Sequence, residues 1–262
     1  MTRHSRSTEP NSRIQSWTKQ YLHKSNTPFF ADALAAFAKE GRGNGGQMVI
    51  GLVGSRDLPG VTLRRAQSIL RWDMRPSLWS TAFLVAEPMQ KNIAATKLLS
   101  VSLHPRTGIF PRPERNGVSE GTLALYADRN LDANVTLLAI SMNADDVAKV
   151  SIKANDPNLD RVRYNLWDTL GVWQAFLWSF GQRPNPLREG FPIASSSFIE
   201  YCFEAISVDL TPAASERNSA PEHIWNAAKW WHNAYSAQGR EITGYYVLRD
   251  EGCSLQNAGE ED

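Results

Sequence analysis

Three consecutive serines, Ser195, Ser196 and Ser197, open a stretch whose apolar residues recur at helical spacing. A helix N-terminus leaves backbone N–H groups unpaired and carries the positive end of the helix dipole, so a hydroxyl there is placed to act as a nucleophile or to help hold an anion. The same letters also have a structural meaning. Ser197 and Glu200 spell S-x-x-E, a capping box that needs no chemistry. A serine nucleophile needs a base, and among the five histidines His104 is the candidate, because its strand can bring it toward the serines. His4 and His23 sit near the N-terminus. His223 and His232 lie nine apart on one predicted helix, which is not the i, i+4 spacing of a zinc-binding pair. Neither a metal nor a cofactor is expected.

The elements that must position these groups follow from periodicity. Phe198, Ile199, Cys202, Phe203 and Ile206 give the serine-opened helix one apolar face, with Cys202 in the core. Ser219 and Glu222 repeat the capping-box spacing around Pro221, and Ile224, Ala228, Trp231 and Tyr235 mark the buried stripe of a second helix. Trp230 lies beside that stripe and is the candidate exposed binding contact. Earlier in the chain, Thr27-Pro28 opens a helix that Gly41 stops. Gly41 to Gly46 fits G-x-G-x-x-G by letters, but it follows a helix and opens a strand, the reverse of a dinucleotide fingerprint, and reads as a connection. Strands are expected at 47–53, 79–86, 98–104, 122–126, 135–141 and 242–248, with helices at 63–72 and from Leu159 to Phe180. In the third strand Leu99, Val101 and Leu103 alternate with Ser100, Ser102 and His104, so these polar groups share a face.

The chain has 262 residues, with 28 Lys and Arg against 27 Asp and Glu. That balance argues against a nucleic-acid binder driven by phosphate neutralisation. Residues 1–25 are mainly basic and 250–262 acidic, so both read as solvated tails around one domain at 26–249. No apolar run approaches the ~20 residues of a membrane span, and the N-terminus has no signal-peptide core. The two cysteines imply no disulfide framework, and a cytoplasmic location follows as the expectation. The expected partner is a small molecule, a peptide or a protein.

The order of parts resembles the circularly permuted branch of the NlpC/P60, papain-like amidase superfamily. In that branch a strand supplies a His, and a Cys arrives later at a helix N-terminus. Trp79-Ser-Thr-Ala-Phe-Leu-Val is similar to the His-bearing strand, with Thr81 in the place of the His. Ser195-Ser-Ser-Phe-Ile is similar to the Cys-Ser segment, with Ser195 in the place of the nucleophile. The resemblance implies an α+β fold of papain-like type, an antiparallel sheet flanked by helices. It also implies a cleft around Ser195, Ser196, Thr81 and the Ser100, Ser102 and His104 face. Threonine is no general base at neutral pH, and serine needs a stronger base than a cysteine would. The expected function is therefore a catalytically degenerate amidase-like protein that keeps a binding cleft. The alternatives are an active serine-type amidase or esterase using Ser195 or Ser196 with His104, and a structural or interaction protein with no active-site cleft.

Overall fold

The computed structural model describes residues 13–40, 46–86, 96–101, 118–156, 194–212, 214 and 219–255. The architecture is α+β. In chain order the elements are β1 (Ile14–Ser16), α1 (Thr18–Tyr21), α2 (Asn26–Glu40), β2 (Gly46–Ser55), α3 (Leu58–Ala66), β3 (Thr81–Val85), β4 (Lys97–Val101) and β5 (Val118–Thr122). They continue with β6 (Asp132–Met142), α4 (Ala144–Ala154), α5 (Ser195–Glu204), α6 (Pro221–Trp230), α7 (His232–Ala237) and β7 (Ile242–Val247). The strands form one seven-stranded sheet in the order β1-β7-β6-β2-β3-β4-β5. Every pairing is antiparallel except β1 with β7.

Helices cover both faces of the sheet, which explains why β2 and β6 are apolar almost without alternation. Ile50, Leu52, Ala82, Leu84, Leu138 and Ile140 point to one face, where they pack with Phe198 and Phe203 of α5 and with Ile224 and Trp225 of α6. Val49, Val53, Phe83, Val85, Val135 and Leu137 point to the other, against Phe29, Phe30 and Phe37 of α2. Gly51 is required by this packing, because a Cβ there would lie 1.9 Å from the Phe83 ring.

Several expectations need correction. Residues 14–25 and 250–255 are not free tails. Ile14–Ser16 extends the sheet by pairing with β7, and Tyr21 is buried. Asp250 and Cys253 are buried as well. Composition missed this because charged residues carry these segments into the fold through ion pairs and carbonyl contacts. The strand expected at 122–126 is β5, ending at Thr122, followed by a 3-10 turn over Leu123–Tyr126. Helix α4 was not expected. Its signal is Asn143, which caps it by accepting the Asp146 N–H at 2.8 Å, with Asp145 and Asp146 in the first turn. The second late helix breaks at Trp231, so Trp231 is 52% exposed rather than buried, while Trp230 is 53% exposed as its position beside the stripe suggests. The helix expected from Leu159 to Phe180 lies outside the described residues.

Candidate functional site

Helix α5 starts from Ala194, not from a serine, and no side chain caps it. The Ser197–Glu200 capping box therefore does not form. The serines occupy the first helical turn, and all three are buried. Ser195 Oγ accepts the backbone N–H of Ala82 at 3.0 Å. Ala82 lies one residue beyond the β3–β4 pairing, which begins at Phe83 and Ser100, so the serine takes over where the ladder stops. Ser196 Oγ donates to the Ser219 carbonyl at 2.8 Å, and Ser219 Oγ lies 3.4 Å from Ser197 Oγ. The serine triplet thus joins β3 to the segment that enters α6.

Thr81 and Ser195, which the resemblance places in one cleft, come from neighbouring backbones while their side chains point apart. Thr81 pairs with Val53, and directly paired residues point to the same face. Val53 packs on the α2 side, whereas Ala82 and α5 share the opposite core. The Thr81 hydroxyl and the Ser195 hydroxyl are therefore divided by the sheet. Ser100, which pairs with Phe83, is buried on the Thr81 side, while Leu99 and Val101 face the α5 side. The expected shared pocket of Ser195, Thr81 and Ser100 therefore does not form, because alternation along β3 and β4 sends Thr81 and Ser100 to the face opposite α5. Ser102 and His104 lie outside the described residues.

At the N-terminus of α6 a second polar cluster is present that the motifs did not predict. Glu222, nearly fully buried, has Oε2 2.7 Å from the Ser77 hydroxyl and Oε1 3.6 Å from Arg71 Nη1, and its N–H donates to Gln67 Oε1 at 3.0 Å. Burial raises the Glu222 pKa, and the Ser77 hydroxyl and the Arg71 charge offset this only in part. Gln67 also donates to the Trp79 carbonyl at 2.8 Å, which ties the start of β3 to the same cluster. The expected Ser219–Glu222 box is replaced by one in which His223 Nδ1 accepts the Ala220 N–H at 3.1 Å. Burial pushes the His223 pKa down to about 4.

That depression predicts a pH dependence. The unfolded chain protonates His223 near pH 6.5 and the folded chain near 4, so the unfolded state binds more protons between these values. Stability should fall as pH drops through this window, by at most about 3 kcal/mol, and level off below it. Urea midpoints measured across pH 7 to 4 for the wild type and His223→Asn test this, because asparagine keeps an acceptor but does not titrate. Glu222 titrates in both proteins with the opposite sign, so the difference between them reports His223.

At the far end of α5 a concavity of about 330 Å³ is lined by Glu200, Glu204, Ser207, Val208, Asp209 and Ala214. Glu204 lies 3.5 Å from Lys153, and Asp209 Oδ1 accepts the Thr211 N–H at 2.8 Å. Its lining carries three carboxylates, those of Glu200, Glu204 and Asp209. Among the described residues no group of three His, Cys, Asp or Glu side chains is arranged to hold a metal, and no helix is long and apolar enough to cross a membrane. No family model matches the chain, and neither does any curated protein or solved structure.

Proposed function

We propose that this chain is a non-catalytic binding protein of permuted amidase-like architecture, in which the nucleophile's position has become a structural joint. The observation that carries this reading is the Ser195 hydroxyl, buried and taken up by the Ala82 N–H at 3.0 Å. A serine nucleophile needs a reachable base and an open side toward substrate. The Ser195 and Ser196 hydroxyls instead meet backbone groups of β3 and of the α6 entry. Support for the amidase-like architecture is the meeting of a mid-sheet strand and a late helix N-terminus in the order the resemblance implies. The binding role is assigned to the concavity beyond the C-terminal end of α5, the open counterpart to the sealed N-terminal end.

Two measurements test the reading. A serine-directed fluorophosphonate should leave the intact mass of the folded protein unchanged. An adduct on Ser195 or Ser196 that is lost on substitution by alanine would make the chain a serine-type hydrolase instead. Ser195→Ala should cost about 1–3 kcal/mol in urea unfolding, the penalty for leaving a buried N–H without its acceptor. A nucleophile retained for activity would show no such loss, since such residues are commonly neutral or costly for stability.

A further inference from the structure

Four arginines gather where β2 ends and β6 begins, and two of them, Arg64 and Arg56, share one carboxylate, that of Asp250. Arg64 is fully buried and donates to Asp250 Oδ2 at 2.8 Å, to the Asp250 carbonyl and to the Ser77 carbonyl at 2.9 Å. Among the described residues Arg249 gives its N–H groups to neutral oxygens alone: Leu22 O at 3.1 Å, Asn26 Oδ1 at 2.7 Å, Ala133 O at 3.1 Å, Tyr21 O at 2.9 Å and Lys24 O at 3.1 Å. Arg56 donates through Nη2 to the Arg249 carbonyl at 3.4 Å and reaches a carboxylate only at 3.5 Å, at Asp250 Oδ2, which already accepts from Arg64. Its buried Nε makes no hydrogen bond among the described residues. Arg129, half-buried, makes neither a hydrogen bond nor an ion pair among the described residues.

Backbone contacts hold these three arginines near one another. The Arg56 N–H donates to Leu131 O at 2.8 Å, at the end of the turn that carries Arg129. Asn26, which accepts from Arg249, donates through Nδ2 to the carbonyls of Tyr126 and Asp132 on either side of the same turn. The nearby carboxylates also make contacts of their own. Asp128 Oδ1 accepts the Asn130 N–H, Asp132 Oδ1 the Ser55 hydroxyl and Asp57 Oδ1 the Gly60 N–H. The Lys24 ammonium lies over the Tyr21 ring. Burial, and then the charges of Arg129 and Arg56, bring the Arg249 pKa down to about 10.

We propose that Arg56 and Arg129, with Arg249 behind them, form a binding site for a phosphate group. Guanidinium forks present paired N–H donors that match the oxygens of a phosphate, and a dianion offsets more of this positive charge than a carboxylate does. Bound phosphate takes the unused N–H groups of Arg129 and meets the Arg56 guanidinium on its solvent side, where that side chain is 26% exposed, and it relieves their repulsion with Arg249.

The test is a titration of the full chain with inorganic phosphate, against sodium chloride at matched ionic strength. It is read by thermal unfolding and by amide NMR shifts at residues 127–131. The expected result is a saturable rise in Tm with shifts in that turn, and a midpoint at least tenfold weaker in both Arg129→Gln and Arg56→Gln. Arg129→Gln serves as the principal variant, because it removes no contact among the described residues and should fold as the wild type does. Sedimentation with vesicles of phosphatidic acid in phosphatidylcholine separates the sources. Vesicle binding lost in Arg129→Gln assigns a lipid headgroup, and saturable phosphate without vesicle binding assigns a soluble phosphate compound. A phosphate response no larger than that of chloride, or one with the same midpoint in Arg129→Gln, overturns the proposal.

Discussion

Asp250→Ala is expected to destabilise the protein by about 3–5 kcal/mol, the usual cost of removing one partner from a buried ion pair. Arg64 shows no exposed surface, and Asp250 supplies both a carboxylate oxygen and a carbonyl oxygen to its guanidinium. Alanine keeps the carbonyl and removes the charge, so Arg64 is left as an uncompensated buried cation with Arg56 nearby. The same carboxylate also accepts the Ser254 N–H at 3.1 Å, which folds the chain back over Val61 and buries Cys253. Burial opposes ionisation of Asp250, yet the Arg64 hydrogen bond, the Ser254 amide and the charges of Arg64 and Arg56 together hold its pKa below the ordinary value. The carboxylate's contribution is therefore in place at neutral pH and is lost as pH falls through its lowered pKa. Urea unfolding at pH 7 measures the effect. Replacing both members, as in Arg64→Met with Asp250→Leu, should cost less than Asp250→Ala alone, because no buried charge remains. A loss under about 1 kcal/mol for Asp250→Ala, a size ordinary for exposed pairs, would show that the pair is not sealed.

Trp79→Ala should be of similar severity, about 3–5 kcal/mol, because it empties a large volume from a packed core. Trp79 is fully buried, and its ring meets the Trp225 ring edge-on with centroids 5.0 Å apart. It packs where β3, α6 and the Ser77–Glu222 cluster come together, so the cavity would loosen the α6 entry that Ser196 holds. Trp79→Phe should cost much less, under about 1.5 kcal/mol, because the indole Nε1 makes no hydrogen bond among the described residues. Equal losses for the two variants in urea unfolding would mean that the indole nitrogen has a partner the packing does not reveal.

The elements around the site are largely readable, because α2, α5 and α6 carry apolar residues at helical spacing and β2, β3 and β6 are short runs rich in apolar residues. The same spacing puts Cys202 in the core, where it is buried. What could not be read was the direction of polar side chains. Ser197 and Glu200 have capping-box spacing, but the N-cap is Ala194, three positions before Ser197, and that shift removes the box. Thr81 and Ser195 come from neighbouring backbones, and a one-residue offset along β3 decides which face a side chain meets. Arg64, Arg249 and Asp250 left no pattern at all. Their partners are carbonyls and a carboxylate as many as 228 positions away, and no local spacing encodes such contacts. Asp250 reads as part of a tail because acidic residues at a terminus are ordinarily solvated, while here a buried arginine recruits one of them.

Amide hydrogen exchange at Ala82 tests most directly whether Ser195 is a structural joint. In the wild type the Ala82 N–H should be protected to about the same degree as the Leu84 N–H inside the β3 ladder, since the Ser195 hydroxyl holds it from the helix side. In Ser195→Ala the Ala82 amide should exchange at least tenfold faster relative to Leu84, after correction for any change in global stability. An Ala82 amide that exchanges as an exposed group in the wild type, or at an unchanged relative rate in the variant, would contradict the account.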